Sequence, residues 1–153
     1  MRRFSPSLAL ALLTGLALAS SANSAGTGDE PIFCGGETTR AEAQAYFVRL
    51  DKALAADASK SRFNAFVAPI FGVTDARGRH LYFRRADFNS VTPGRIRIEE
   101  WRQISARGLK ALRNAGWRGC MMSHGKVWFE TSETNGLELK GFNRTLAWDP
   151  SEL

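Results

Sequence analysis

The sequence predicts an α+β domain in which N-terminal helices pack on a curved antiparallel β-sheet, closed by one disulfide. Apolar residues recur at helical spacing at 39–58 and 98–114 and in alternating or continuous short runs at 71–83 and 117–148, and there are only two cysteines. A chain of 153 residues is long enough for one domain with its own core. We expect this domain at 38–148, after an extended lead-in at 26–37 and before a polar tail at 149–153.

The first 25 residues have the three parts of a secretory signal peptide. Basic residues at 2–3 precede the apolar run at 8–18, and small or polar residues follow at 19–25. The apolar run is about half of the ~20 residues that a membrane-spanning helix needs. We therefore expect export to the periplasm or beyond, with no stable membrane span after cleavage and a net charge lowered from +6 to +4 by the loss of two arginines. The candidate cleavage positions are Ala22, Ser24 and Ala25.

The two cysteines, Cys34 and Cys120, are expected to pair, because exported proteins keep disulfides. A loop of this length contributes about 4 kcal/mol in the chain-entropy description. The alternatives are a metal site or a reactive thiol. Two distant cysteines without a CxxC motif, and two distant histidines, make a metal site the weaker interpretation, and no cofactor is expected.

A first helix is predicted from Thr39 to about Ala58. Thr39 and Glu42 fit a capping box, and the apolar residues that follow at steps of three and four are Ala43, Phe47, Leu50 and Leu54. Tyr46 and Asp51 are expected at the margin of that face, beside solvent or a pocket.

Four further elements follow. A short helix is predicted at 61–68, stopped by Pro69, and two short strands at 71–83 around a turn at 75–78. Residues 84–94 form a connection anchored by Phe88. A second long helix is predicted over 98–114, although alternation at 95–98 is also compatible with a short strand.

The segment Trp117–Glu130 predicts a β-hairpin at the centre of the sheet, with His124-Gly125 at its tip. The expected opposed pairs are Met122 with Val127, Met121 with Trp128, Cys120 with Phe129, and Gly119 with Glu130. Both faces of this hairpin carry large apolar side chains. We therefore expect cover on both sides, from a helix and from a second layer, a partner subunit or a ligand.

A third long strand is predicted over 137–148. Its apolar positions change parity between Leu139 and Phe142, so we expect a β-bulge at or near Gly141, and a residue there with positive φ.

Positive charge is concentrated between Arg77 and Arg118. This predicts a surface for an acidic partner, although solvated flanks of a helix and a hairpin would show the same pattern. Nucleic acid is not expected as a partner of an exported protein. The candidate surface residues are Arg77, Arg79, Arg84, Arg85, Arg95, Arg97, Arg102, Arg113 and Arg118.

Helices followed by a curved meander that contains WRGCMMSHGKVWFE resemble small exported bacterial proteins of the nuclear-transport-factor-like superfamily, the cone fold shared with ketosteroid isomerase and SnoaL. In many of these a late hairpin runs, as here, from Gly119 through a turn at Gly125 to Val127-Trp128-Phe129. The resemblance covers residues 38–148. It implies a bent sheet closed on one side by helices, often with a pocket and often dimeric, and it implies little about chemistry.

Three functions remain open. The leading hypothesis is an exported binding protein that uses the cone cavity or the Arg-rich surface to hold a small apolar ligand or an acidic envelope partner. The second is a small isomerase-like or hydrolase-like enzyme with a pocket carboxylate as general base. The third is a structural or homodimeric envelope protein. Candidate acid, base or donor groups for the enzyme are Asp51, Asp87, Glu130, Tyr46 and Tyr82, and the two histidines are His80 and His124.

Overall fold

The structure, a computed structural model, describes residues 33–35, 38–56, 63–88, 96–134 and 136–153. The predicted signal peptide, Arg95 and most of the lead-in lie outside the described residues. Nothing in the described part tests the cleavage positions.

The described chain contains two α-helices, six strands and several single turns of 3₁₀-helix. The helices are α1 (Arg40–Ala55) and α2 (Ile98–Ala111). The strands are β1 (Val67–Thr74), β2 (His80–Arg84), β3 (Arg113–Asn114), β4 (Cys120–Met122), β5 (Val127–Ser132) and β6 (Gly136–Asn143). Both helices contribute to one core with the sheet, which confirms the predicted α+β class.

The six strands form one mixed sheet in the order β2-β1-β6-β5-β4-β3. All neighbours are antiparallel except β1 and β6, which run parallel. The expectation of a wholly antiparallel sheet is therefore wrong at this one junction. The predicted hairpin is β4 and β5, and the central pair of strands is β5 and β6, so one strand of the hairpin is central and the other lies next to the edge strand β3.

The predicted hairpin has the expected register. Cys120 pairs with Phe129, Met121 with Trp128 and Met122 with Val127, around a turn at Ser123–Gly125. The β4–β5 ladder ends at Cys120 and Phe129, so the predicted pair of Gly119 with Glu130 is not part of it. A side chain at Gly119 would meet the Phe129 carbonyl oxygen at 2.1 Å, and this close approach requires a glycine.

The disulfide between Cys34 and Cys120 is present, with a Cα–Cα distance of 4.6 Å. Both cysteines are fully buried, and they join the N-terminal segment to β4 across a separation of 86 residues. The prediction from the cysteine count is confirmed.

The inner face of the sheet is packed with aromatic rings. The capping box of Thr39 and Glu42 starts α1 as predicted. Tyr46, which was expected at the margin of the helix face, is fully buried. Its ring packs edge to face on Phe47 and Phe129, and its hydroxyl donates a hydrogen bond to the Phe66 carbonyl oxygen at 3.1 Å. The space between α1 and the sheet is therefore filled by side chains.

Phe63, Phe66 and Val67 are buried, as expected. The short helix predicted over 61–68 is wrong at its end, because residues 67 and 68 belong to a strand. A 3₁₀ turn at Phe63–Phe66 leads directly into β1. Pro69 lies inside β1, where the β2 ladder has not begun and the β6 register is interrupted. A proline is tolerated there because no ladder bond needs its missing N–H.

The second long helix, α2, ends at Ala111, three residues earlier than predicted, and Arg113–Asn114 form the edge strand β3. Gly108 has φ +56° inside the last turns of α2. This left-handed conformation favours glycine and breaks the helix before its predicted end.

The bulge predicted near Gly141 is confirmed in position. Trp128 pairs with Gly141 and Phe129 with Leu139, so Lys140 is the extra residue on β6. This shift turns Leu137, Leu139 and Phe142 to the same inner face. The expected positive φ at Gly141 is wrong, since the glycine is not among those with left-handed backbone.

The C-terminal residues, expected to lack structure, form a 3₁₀ turn at Pro150–Glu152 that packs on the hairpin. The buried Glu152 carboxylate accepts hydrogen bonds from the Ser123 backbone N–H at 2.8 Å and from its hydroxyl at 2.6 Å. It also lies 3.5 Å from the buried Arg107 guanidinium. The last turn therefore holds Ser123, whose φ of +47° is unfavourable for a non-glycine residue.

Candidate binding surface on the outer sheet face

The basic residues singled out from the sequence do not lie on one surface. Arg77 and Arg79 lie at the turn between β1 and β2, and Arg97 and Arg102 lie at the start of α2 next to Glu100 and Glu99. Arg85 is half-buried, 2.7 Å from Glu138. The remaining described members, Arg84, Arg113 and Arg118, lie on or beside the outer face defined below.

The carboxylates considered for catalysis are not enclosed. Asp51 is exposed and accepts a hydrogen bond from the Ser105 hydroxyl. Asp87 is exposed after β2, and Glu130 is half-buried with its Oε2 2.5 Å from Lys140 Nζ. None of these three carboxylates lies in the ring-packed interior.

The two histidines lie at the start of β2 and at the β4–β5 turn. His80 Nδ1 is 3.0 Å from Thr74 Oγ1, and the exposed His124 at the hairpin tip has its Nε2 3.0 Å from Asp149. Among the described residues no group of three His, Cys, Asp or Glu side chains is placed to hold a metal ion.

A buried carboxylate that the sequence did not single out is Glu138. The Glu138 carboxylate accepts a hydrogen bond from the Ser132 hydroxyl at 2.8 Å and forms an ion pair with Arg85. The Tyr46 hydroxyl is not its donor, since it donates to the Phe66 carbonyl oxygen. These contacts make Glu138 a neutralised structural charge on β6.

The side of the sheet away from the helices, which we call the outer face, carries one continuous cross-strand row. Alternation places residues next to core positions on this opposite side. The residues directly opposed along the row, from β2 to β3, are Tyr82, Gly72, Gly141, Trp128, Met121 and Arg113. Within the described chain no helix lies over this row. The predicted second cover of the hairpin is therefore not supplied by the described residues.

Two glycines form the floor of the row. Gly72 and Gly141 are neighbours in the parallel pair β1 and β6, and neither presents a side chain. The Tyr82 ring leans over Gly72, with its Cε1 3.4 Å from where a Cβ would lie. Tyr82 is nevertheless 75% exposed, so the upper surface of its ring faces solvent.

An open groove of about 270 Å³ lies over the glycine floor. The rings of Tyr82 and Trp128 stand on its two sides, and polar groups of Thr74, His80 and Asn143 line one end. The Trp128 indole packs against Gly125, with its Nε1 3.2 Å from the position of an added Cβ. This glycine allows the indole to lie beside the hairpin turn.

A second open cleft of about 580 Å³ lies on the other side of Trp128. It shares Trp128 and Gly141 with the first groove, and its other walls include Trp117, Arg118 and the Glu130–Lys140 ion pair. Trp117 is 87% exposed, and the Arg118 guanidinium lies 5.4 Å from its ring centre. Trp128 thus separates two adjoining depressions that contain aromatic and charged groups.

Three arginines on or beside the outer face make no ion pair with described residues. Arg84 is opposite Ile70 on β2, Arg113 ends the row on β3, and Arg118 lines the larger cleft. The acidic groups nearby, Glu130 and Glu138, are each paired with a cation of their own. The outer face therefore has an excess of positive charge.

The row was not predicted from the sequence, because it depends on the parallel pairing of β1 with β6. A local signal was present in the alternation of apolar and other residues along the strands. Gly72 and Trp128 each alternate with buried residues, and Tyr82 precedes the half-buried Phe83, so pairing of the strands places all three on a shared outward side.

Comparisons with protein-family models, with curated proteins and with solved structures returned no match to this chain. The function is therefore inferred from the chemistry of the outer face.

Proposed function

We propose that this chain is an exported binding protein that holds an acidic envelope polymer on the outer face of its sheet. The observation that carries the proposal is the cross-strand row, in which exposed aromatic rings flank a glycine floor and arginines without an ion pair to any described residue lie at both ends. Export is part of the proposal and is supported by the signal-like pattern of the first 25 residues.

The location of the site is supported by the contrast between the two sides of the sheet. The inner side is occupied by Tyr46, Phe47 and Phe129, whose rings contact one another. The outer side offers open grooves with aromatic walls, and exposed aromatic residues next to arginine are typical of binding surfaces. A binding role on the outer face therefore has more support than a catalytic role in the interior.

The chemistry of the partner follows from charge. Arg84 and Arg113 lie at opposite edges of a six-stranded sheet, about 24 Å apart at the usual strand spacing. An extended anionic polymer can meet both edges at once, whereas a small anion can meet one. Aromatic rings between the arginines would contribute contact area.

Membership of the nuclear-transport-factor-like superfamily, with its cone-like shape, is also a proposal. It is supported by the sequence resemblance and by helices that pack on one face of a bulged sheet. A homodimer across the outer face is a competing use of the same surface, since Tyr82 and Trp117 are exposed on or beside that face.

The proposal is tested with two arginine triples of equal charge. The first replaces Arg84, Arg113 and Arg118 by glutamine, and the control replaces Arg77, Arg97 and Arg102 by glutamine. Binding of the chain without its first 25 residues to soluble polygalacturonate and to polyglutamate is measured by titration calorimetry at low and physiological salt.

We expect the first triple to lower affinity for at least one of these polyanions by about tenfold or more, the equivalent of about 1.4 kcal/mol. The control triple should lower it less, and added salt should weaken binding because exposed charges are screened. Equal loss in both triples would show general charge attraction and would overturn the outer face as the site. Dimerisation by sedimentation that is abolished by Trp117→Ala, without polyanion binding, would favour the homodimer.

A further inference from the structure

We propose that the acidic polymer is a carboxylated polysaccharide, and that one of its sugar rings lies on the Gly72–Gly141 floor between Tyr82 and Trp128. This inference rests on the proposed function and deepens it by naming the ligand class. It is carried by the shape of the groove, by the pairing of its strands and by the distribution of charge.

The groove has the chemistry of a sugar-ring site. A pyranose presents apolar C–H faces and a polar rim of hydroxyl groups. The rings of Tyr82 and Trp128 offer flat apolar surfaces with a polar edge on each. Thr74 and Asn143 line the groove near the rim, and His80 bonds Thr74 through Nδ1, which leaves its Nε2 for a sugar hydroxyl.

The absence of a side chain at Gly141 makes room for that ring, whereas the space over Gly72 is partly filled by the Tyr82 ring, which forms the wall beside it. Both glycines have ordinary backbone conformations, since neither is among the residues with positive φ. A Cβ at Gly141 would meet only ordinary contacts, at 3.5 Å from the Gly72 carbonyl oxygen and 3.9 Å from Trp128 Cβ. The backbone geometry does not require glycine at position 141, and an open floor for a ligand gives a reason for it.

An extended peptide fits this place less well. Peptides that bind sheets commonly add a strand to an unpaired edge. The groove floor lies over β1 and β6, and each of these strands is paired on both sides. A ligand here must be recognised through its faces and substituents, and this favours a sugar chain over a polypeptide backbone.

The carboxylate requirement follows from the ends of the row. The second cleft continues from the groove past Trp128 and contains Arg118, which makes no ion pair with described residues. Lys140 in the same cleft is occupied by Glu130 at 2.5 Å. The guanidinium of Arg118, which lies beside the Trp117 ring, can bind a carboxylate of the next sugar with two parallel hydrogen bonds.

The test uses a blocking substitution that adds volume to the floor. Gly141→Val places a side chain in the groove, and valine suits a strand. Ala41→Leu is the matched control, because it also adds three carbons, at an exposed position of α1. Tyr82→Ala removes one wall, and Tyr82→Phe retains its ring. Circular dichroism and thermal unfolding confirm that each variant is folded.

Three probes of equal length are titrated against each protein: oligogalacturonate, neutral maltooligosaccharide and oligoglutamate. We expect oligogalacturonate to bind the unmodified chain most tightly. Gly141→Val and Tyr82→Ala should each weaken it by about fivefold or more, as loss of a central contact does. Ala41→Leu should bind within about twofold of the unmodified chain, and Tyr82→Phe should weaken binding less than Tyr82→Ala because it keeps the ring and loses only the hydroxyl.

The outcomes separate this inference from the proposed function. Equal binding of oligoglutamate, lost in the outer-face arginine triple but unchanged in Gly141→Val, would overturn the saccharide and leave the proposed function standing. Equal binding of the neutral oligosaccharide would overturn the carboxylate requirement. Failure of all probes and both polyanions would overturn the inference and the proposed function together.

Discussion

Gly72 and Gly141 lie side by side in two parallel strands, and together they leave a gap between the rings of Tyr82 and Trp128. Large side chains at these two positions would give the sheet a continuous outer surface of side chains. Strand interiors seldom gain stability from glycine, because it has no side chain to pack and loses more backbone entropy on folding. Gly72 makes room for the Tyr82 ring, and Gly141 is more easily explained by what the gap admits than by the stability of the fold.

The first prediction concerns the stability of Gly141→Val. We expect a free energy of unfolding within about 1 kcal/mol of the unmodified chain, because the new Cβ meets only ordinary contacts, the position borders an open groove, and valine favours strands. Urea denaturation measures this. A loss of several kcal/mol would mean that the bulge itself requires glycine, as the sequence suggested.

The second prediction concerns the disulfide. Cys34→Ser together with Cys120→Ser should lower the free energy of unfolding by up to about 4 kcal/mol, since the bond closes a separation of 86 residues. Denaturation with and without reductant gives the comparison. The double variant should be insensitive to reductant, and an unmodified chain that reductant leaves equally stable would refute the contribution.

The third prediction concerns the C-terminal turn. Glu152→Ala should lower the free energy of unfolding by about 3 to 5 kcal/mol, because it leaves the buried Arg107 guanidinium without its carboxylate partner. Arg107→Met in the same chain should recover part of that loss, and Ser151→Ala serves as an exposed control. A cost for Glu152→Ala no greater than that of the control would mean that the turn is only loosely held.

The structural features that could be predicted from the sequence are those whose contacts join residues close together in the chain. The Thr39 capping box, the β4–β5 register and the bulge come from residues close in sequence, and each was predictable. The parallel pairing of Val73 with Phe142 joins segments 69 residues apart, and no local pattern encodes it. The outer row depends on that pairing. The sequence therefore indicated a binding surface only through the number of its arginines, and it did not bring the glycines and aromatic rings of the row together.

The fourth prediction concerns alkaline pH. Burial raises the pKa of the Tyr46 hydroxyl well above its ordinary value. A raised folded-state pKa means that the stability linked to this group is fully present below the unfolded value of about 10 and is lost as pH rises toward the folded value. In Tyr82→Phe, Tyr46 is the only tyrosine left of two, and its tyrosinate absorbance should appear only when circular dichroism reports unfolding. Tyrosinate formation in the folded state would contradict the buried position.

The most direct test of the outer face uses the four tryptophans as reporters in one nuclear magnetic resonance titration with oligogalacturonate. Trp128 and Trp117 line the proposed site, whereas Trp101 is buried beside Phe63 and Trp148 lies under Arg107. We expect the indole N–H signals of Trp128 and Trp117 and the backbone amide signals of Gly72 and Gly141 to shift in proportion to bound ligand, with Trp101 and Trp148 unchanged. Shifts confined to Trp101 and the helices, or no shifts at all at saturating ligand, would contradict the outer face as the binding surface.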